Sequence, residues 1–169
     1  MILIEQDGRR MLVNDLNGHE GCTVLAADVP IPPEPFTADD LHDDGSIPIE
    51  LLRAQKWGLA KAERVRREEG GCMTPAGLVQ TDYLSKEKIN GLVTMAILAK
   101  NLAQPFSVGF TMADNSVATL DADGAISMGM AVGQFVNAVY TAARTLRDAI
   151  DAAADGPALD AIDVTAGWP

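Results

Sequence analysis

ADGAISMGMAVGQFVNAVYTAARTLRDAIDAAA, residues 122–154, decides the fold. Met128, Val132, Phe135, Val136, Val139, Ala143, Leu146 and Ile150 recur at steps of three and four, the spacing that lines one face of an α-helix. Asp121 stands where a helix N-cap is needed, and Gly156-Pro157 supplies the stop. A short turn then carries Leu159 and Ile162 back towards the core. Met128 and Met130 read as core filler rather than as a cofactor box.

Just upstream, Phe106–Phe110 and Val117–Leu120 flank Ala113-Asp114-Asn115-Ser116. Asp and Asn tolerate left-handed backbone and bond their own main chain, so Asp114 and Asn115 are the structural turn of a predicted hairpin. A second helix is predicted over 85–102, with Ile89, Leu92, Val93 and Ala96 on its buried stripe and Pro105 closing it. Thr74-Pro75-Ala76-Gly77 reads as a turn leading into a short strand at Leu78-Val79, and residues 78–81 are available to join the hairpin.

Residues 49–69 lack proline, are rich in helix formers and end at Gly70-Gly71, which predicts another helix. One stripe, Leu51, Ala54, Gly58, Ala62 and Val65, is small enough to admit a close neighbour. The opposite face is charged, and Arg64, Arg66 and Arg67 read as solvated. Nearer the N-terminus, Asp7-Gly8 between two β-prone runs is a strong hairpin signal and pairs strands 2–6 and 9–13; a third run covers 23–27. Four prolines within 30–35 favour a stiff extended connector.

The predicted class is therefore α+β. It comprises an N-terminal β segment at 1–28, a Pro-rich acidic linker at 29–48 and a mainly helical domain with a short antiparallel hairpin at 49–169. The strands of the first segment offer edges for another chain's sheet. Ile2, Ile4, Leu12 and Val24 are its candidate interaction residues, and Leu51, Ala54, Gly58 and Ala62 those of the first helix.

With 169 residues, 47% hydrophobic and 22% charged, the chain can bury a core and is too apolar for disorder. Its net charge of −11 argues against a nucleic-acid backbone or an anionic membrane as partner. That charge is uneven: residues 1–48 carry −8, 49–71 carry +2 and 72–169 carry −5. No run is long and apolar enough to span a bilayer, and MILIEQDGRR meets charge and turn signals too early for a signal peptide, so synthesis in a cytoplasm is expected. Cys22 and Cys72 lie far apart without a CxxC pair and are expected to be reduced.

Catalytic chemistry has little footing. The cluster Asp39-Asp40-Leu41-His42-Asp43-Asp44 lacks the alternation and the closing Glu of an EF-hand, and reads as a solvated acidic loop. His19, Cys22, His42 and Cys72 could supply a zinc set, but only His19-x-x-Cys22 has ligand spacing. Glu68-Glu69 and Asp121/Asp123 sit at exposed helix ends. No GxSxG, P-loop or GxGxxG string occurs. No catalytic, metal or cofactor-binding residue is assigned.

Several strings in order carry a resemblance: Leu78-Val79-Gln80-Thr81-Asp82, Lys88-Ile89-Asn90-Gly91, Pro105-Phe106-Ser107-Val108, Phe110-Thr111, Ala113-Asp114-Asn115, Thr119-Leu120-Asp121 and Leu146-Arg147-Asp148-Ala149-Ile150-Asp151-Ala152-Ala153. From about Leu52 to Val164 the chain resembles an uncharacterised domain found near the C-terminus of bacteriophage tail-fibre, tail-fibre-assembly and related tail proteins. That domain usually carries an aromatic, often Trp, where this chain has Phe110. The resemblance implies a structural protein of the virion tail, at the tail tip, baseplate or fibre attachment region, acting by protein–protein contacts with other tail or fibre proteins and with copies of itself in a symmetric assembly. The alternative it leaves is a non-virion chaperone of fibre assembly; a small-molecule enzyme is a third class without a motif to support it.

Overall fold

The computed structural model describes residues 1–29 and 36–169; the core of the expected proline connector, 30–35, lies outside them. The architecture is α+β, with short antiparallel strands and long helices. The described residues form two compact units, Met1–Gln55 with Ala153–Asp160, and Lys56–Ala152 with Ala161–Pro169.

In the first unit β1 (Ile2–Gln6), β2 (Arg9–Val13) and β3 (Thr23–Ala26) make an antiparallel sheet in the order β2-β1-β3. Asp7 and Gly8 both take positive φ, 54° and 73°, which is what a two-residue hairpin turn between right-twisted strands requires. Because β1 is the central strand, both its edges are already paired. Among the described residues the outer sides of β2 and β3 pair with no further strand, so the expectation of an open edge at 2–6 is corrected.

Residues 36–47, expected within a linker, lie against this sheet. Leu41 and Val29 are buried with Leu3, and Leu12, Leu25, Ala38 and Ile47 pack around them. Arg10 holds the segment down. Its backbone N–H donates to Asp39 Oδ1 at 3.1 Å, its guanidinium donates to the Leu41 carbonyl, and it pairs with Asp43 at 2.6 Å. Thr37 caps a single 3-10 turn, Ala38–Asp40, with the Asp40 carboxylate accepting from both its N–H and its hydroxyl.

Helix α1 (Ile49–Glu68) contributes residues to both units. In the second unit, β4 (Cys72–Thr74) and β5 (Gly77–Val79) form one two-stranded sheet, and β6 (Val108–Thr111) and β7 (Val117–Leu120) another. Residues 78–81 do not extend the second sheet. They are joined to it only through Ala113 N–H donating to the Leu78 carbonyl at 3.0 Å, because β5 is spent on β4. Helices α2 (Tyr83–Asn101) and α3 (Ala122–Ala152) pack side by side, while α4 (Gly156–Asp160) belongs to the first unit and stands where a turn was expected, proline being accepted in the first turn of a helix. Ile89, Leu92 and Ala96 of α2 meet Ala125, Met128 and Val132 of α3 in the core, closed off by Val79, Met112 and Leu120.

The packed face of α1 is not the one anticipated. Arg53, Trp57, Ala60, Arg64 and Arg67 step by four and three along it and are buried or half-buried, whereas Ala54, Gly58, Ala62 and Val65 face solvent. Ala60 lies 200° around the helix from Gly58 at 100° per residue, so the two stripes cannot share a neighbour. Arginine can sit on a packed face by laying its stem on apolar surface and its planar head on a ring. Arg64 does so over Tyr140 at 4.9 Å, and Arg147 over Trp57 at 5.1 Å. Of the three arginines expected in solvent, only Arg66 is exposed.

Candidate functional site

Between α2 and the outer side of β6 runs a groove of about 610 Å³. One absent side chain, that of Gly91, helps to leave it open. Gly91 on α2 and Gly109 on β6 both line it, and nothing in the structure approaches within 4 Å of where a Cβ on Gly91 would stand. Leu92, Met95, Val108, Phe110 and Met112 make it apolar; Gln80, Ser85, Lys88 and Thr111 add polar groups at its margin. Strand β6 is bonded to β7 alone, so its other edge is an open row of backbone donors and acceptors.

The polar groups do not converge into a reactive set. Asp82 N-caps α2, accepting from Ser85 N–H at 3.1 Å and from Ser85 Oγ at 2.5 Å, and these bonds hold its carboxyl below the ordinary value. The Ser85 hydroxyl is thereby committed to the N-cap, donating to the Asp82 carboxylate. The Lys88 side chain makes no hydrogen bond or ion pair among the described residues. The groove offers shape and apolar area with one positive charge at its rim.

At the tip of the hairpin beside the groove, Asn115 alone takes left-handed backbone, φ 65°. Asp114 instead acts through its side chain: Oδ1 accepts from Ser116 N–H at 2.9 Å and Ser116 Oγ at 2.6 Å, which lowers its pKa.

The other expected residues fall apart chemically. His19 contacts Gln6 Oε1 at 3.0 Å, Cys22 and Cys72 are free thiols, and burial pushes the Cys72 thiol up. Among the described residues no three His, Cys, Asp or Glu side chains gather as metal ligands. The acidic loop is occupied internally, with Asp39 and Asp43 on Arg10, Asp40 on Thr37 and Asp44 on Ser46. Glu68 is not an exposed helix end; it is largely covered and pairs with Lys86. Of the candidate contact residues, Ile4 is buried, Ile2, Leu12 and Leu51 are half-buried, and Val24, Ala54, Gly58 and Ala62 are exposed. Met130, expected in the core with Met128, is exposed, since residues two apart on a helix point to nearly opposite sides.

The groove and both two-stranded sheets lie inside the stretch 51–166, which matches a family described as a domain of unknown function, DUF4376. The chain belongs to that family. No curated protein and no solved structure matches the chain. Within the DUF4376 region the feature that the sequence reading missed is a second apolar side of α2, bordering the groove: Leu84, Met95, Leu98 and Leu102 are all exposed there. Its signal was present as the step 84, 88, 91, 95, 98, 102, alternately four and three, overlapping the stripe that packs on α3.

Proposed function

We propose that the protein is a structural, interaction component of a bacteriophage tail, seated at the tail tip, baseplate or fibre attachment region and acting through protein–protein contacts. The observation that carries the reading is α2, a helix apolar on two sides of which only one is covered. Helices of that pattern belong in the interior of an assembly, and contiguous exposed apolar area on a soluble domain marks a contact surface. The ordered strings between Leu52 and Val164 add the tail context by resemblance.

Mass spectrometry of purified particles tests it. Peptides of this chain should co-purify with intact tails at a constant ratio to other tail proteins. Recovery only from the unassembled lysate, bound to fibre chains, would instead make it an assembly chaperone.

A further inference from the structure

We propose that α2 pairs antiparallel with α2 of a second copy, making a two-fold dimer seam from Leu84, Lys88, Gly91, Met95, Leu98 and Leu102. The inference rests on the reading of the chain as a contact-making subunit present in several copies, and specifies the surface.

Leu84 is 66%, Met95 60%, Leu98 54% and Leu102 67% exposed, so this side of the helix is bare while Ile89, Leu92 and Ala96 are buried. At 100° per residue the bare stripe is centred roughly a right angle around the helix from the buried one, so the same helix can serve both neighbours. The alternating four-and-three step is the seam spacing of paired helices.

The choice of partner and direction follows from the stripe's own symmetry. An antiparallel pair centred on position 93 sets Leu84 against Leu102, Lys88 against Leu98 and Gly91 against Met95, each twice. The largest flexible side chain then enters the gap left by the absent one, and each lysine stem lies along leucine with its ammonium free to reach water. A parallel pair would stack Lys88 on Lys88 and leave a void at Gly91 on Gly91. A self-complementary patch is what a closed two-fold interface requires.

Charge does not oppose it locally. Lys86 is committed to Glu68 and Lys100 to Asp123 within the same copy, leaving Glu87 and Lys88 as neighbours on an otherwise neutral strip. A single helix pair about 28 Å long is at the small end of specific interfaces, so the dimer should be concentration-dependent in the micromolar range.

The full chain should run as a dimer by light scattering after gel filtration at high concentration and dissociate on dilution. Leu98→Lys faces Lys88 of the other copy and should weaken association by roughly 100-fold. Leu98→Glu faces the same lysine with opposite charge and should dimerise nearly as well as the parent. Position 98 is exposed, so neither change should move the melting temperature of the monomer appreciably, which circular dichroism checks. Gly91→Leu adds apolar area yet fills the gap, and should weaken the pair; simple stickiness would strengthen it. A chain monomeric up to hundreds of micromolar, equal loss in the Lys and Glu variants, or tighter association of Gly91→Leu each overturns the seam. A monomer still recovered in purified particles would overturn the seam alone and leave the tail assignment standing.

Discussion

At the residue scale, two glycines on α3 show how context sets the sign of one substitution. A Cβ on Gly129 would lie 2.4 Å from Val93 Cγ2, whereas nothing stands within 4 Å of one on Gly133. Val93 is β-branched in a helix and cannot swing away cheaply. Gly129→Ala should therefore cost about 1–3 kcal/mol by overpacking, partly offset by about 1 kcal/mol of helix propensity, and lower the melting temperature. Gly133→Ala keeps only the propensity gain, about 0.5–1 kcal/mol, and should raise it. Thermal melts of the two variants should move in opposite directions; movement in the same direction would show that α2 and α3 do not approach closely at Val93.

Glu63 carries a second residue-scale prediction. Hydrogen bonds from Arg66, then from Arg67, at 2.6–2.7 Å pull its pKa from 4.5 to about 2. A carboxylate with a depressed folded pKa stabilises fully above its unfolded value and loses that contribution as pH falls towards the folded one. The window here is pH 4.5 down to about 2. Glu63→Gln should melt below the parent at neutral pH, and the two curves should converge as pH falls through that window. A constant gap would show that the glutamate acts through packing. Arg67 also donates to the Thr165 carbonyl at 3.1 Å, tying this end of α1 to the C-terminal turn.

At the element scale, legibility tracked how local the cause was. Asp7-Gly8, Asp121 and the three-and-four stepping of α3 act on their immediate neighbours, and the strands and helices they define stand where expected to within a residue or two, whereas Gly156-Pro157, expected as a stop before a turn, instead open α4. Strand β4 is three residues long, too short for alternation to show, and only its pairing across Thr74–Gly77 creates it. The arginines of α1 misled because side-chain polarity was read without the stems. Arg64 finds the Tyr140 ring, and Trp57 on the same helix finds Arg147, only once α1 and α3 are placed. The groove was illegible for the same reason: Gly91 means nothing until α2 and β6 face one another.

The β6–β7 turn gives the prediction for this scale. Val at 114 removes the carboxylate that holds Ser116, and Val at 115 would sit at φ 65°, a conformation its branched Cβ resists. The double change Asp114→Val with Asn115→Val should cost on the order of 1–3 kcal/mol. Asn115→Gly, which tolerates that φ, should leave stability close to the parent. If the double variant melts with the parent, the turn is held by the ladder and by Met112 alone.

At the scale of the whole molecule, the question is which part folds by itself and which part attaches. Residues 56–152 hold a continuous core from Cys72 to Val132, built from α2, α3 and both hairpins. The first unit has a smaller one around Leu3, Val29 and Leu41. Among the described residues no strand covers the outer edge of β3, where Val24 is exposed, while the Arg10 N–H on β2 is already taken by Asp39. An open edge can accept a strand from another chain. A chain beginning at Ile49 should therefore remain soluble and strongly helical by circular dichroism, because the core of α2 and α3 needs nothing upstream. Its loss of residues 1–48 removes that edge, and it should fail to enter particles when supplied in place of the full protein. Strand-edge attachment and the α2 seam make separable claims here. A truncated chain that still dimerises but is not incorporated places attachment on the N-terminal sheet. One that is incorporated normally places it on the DUF4376 region, where Leu98→Lys should then abolish incorporation as well as dimerisation.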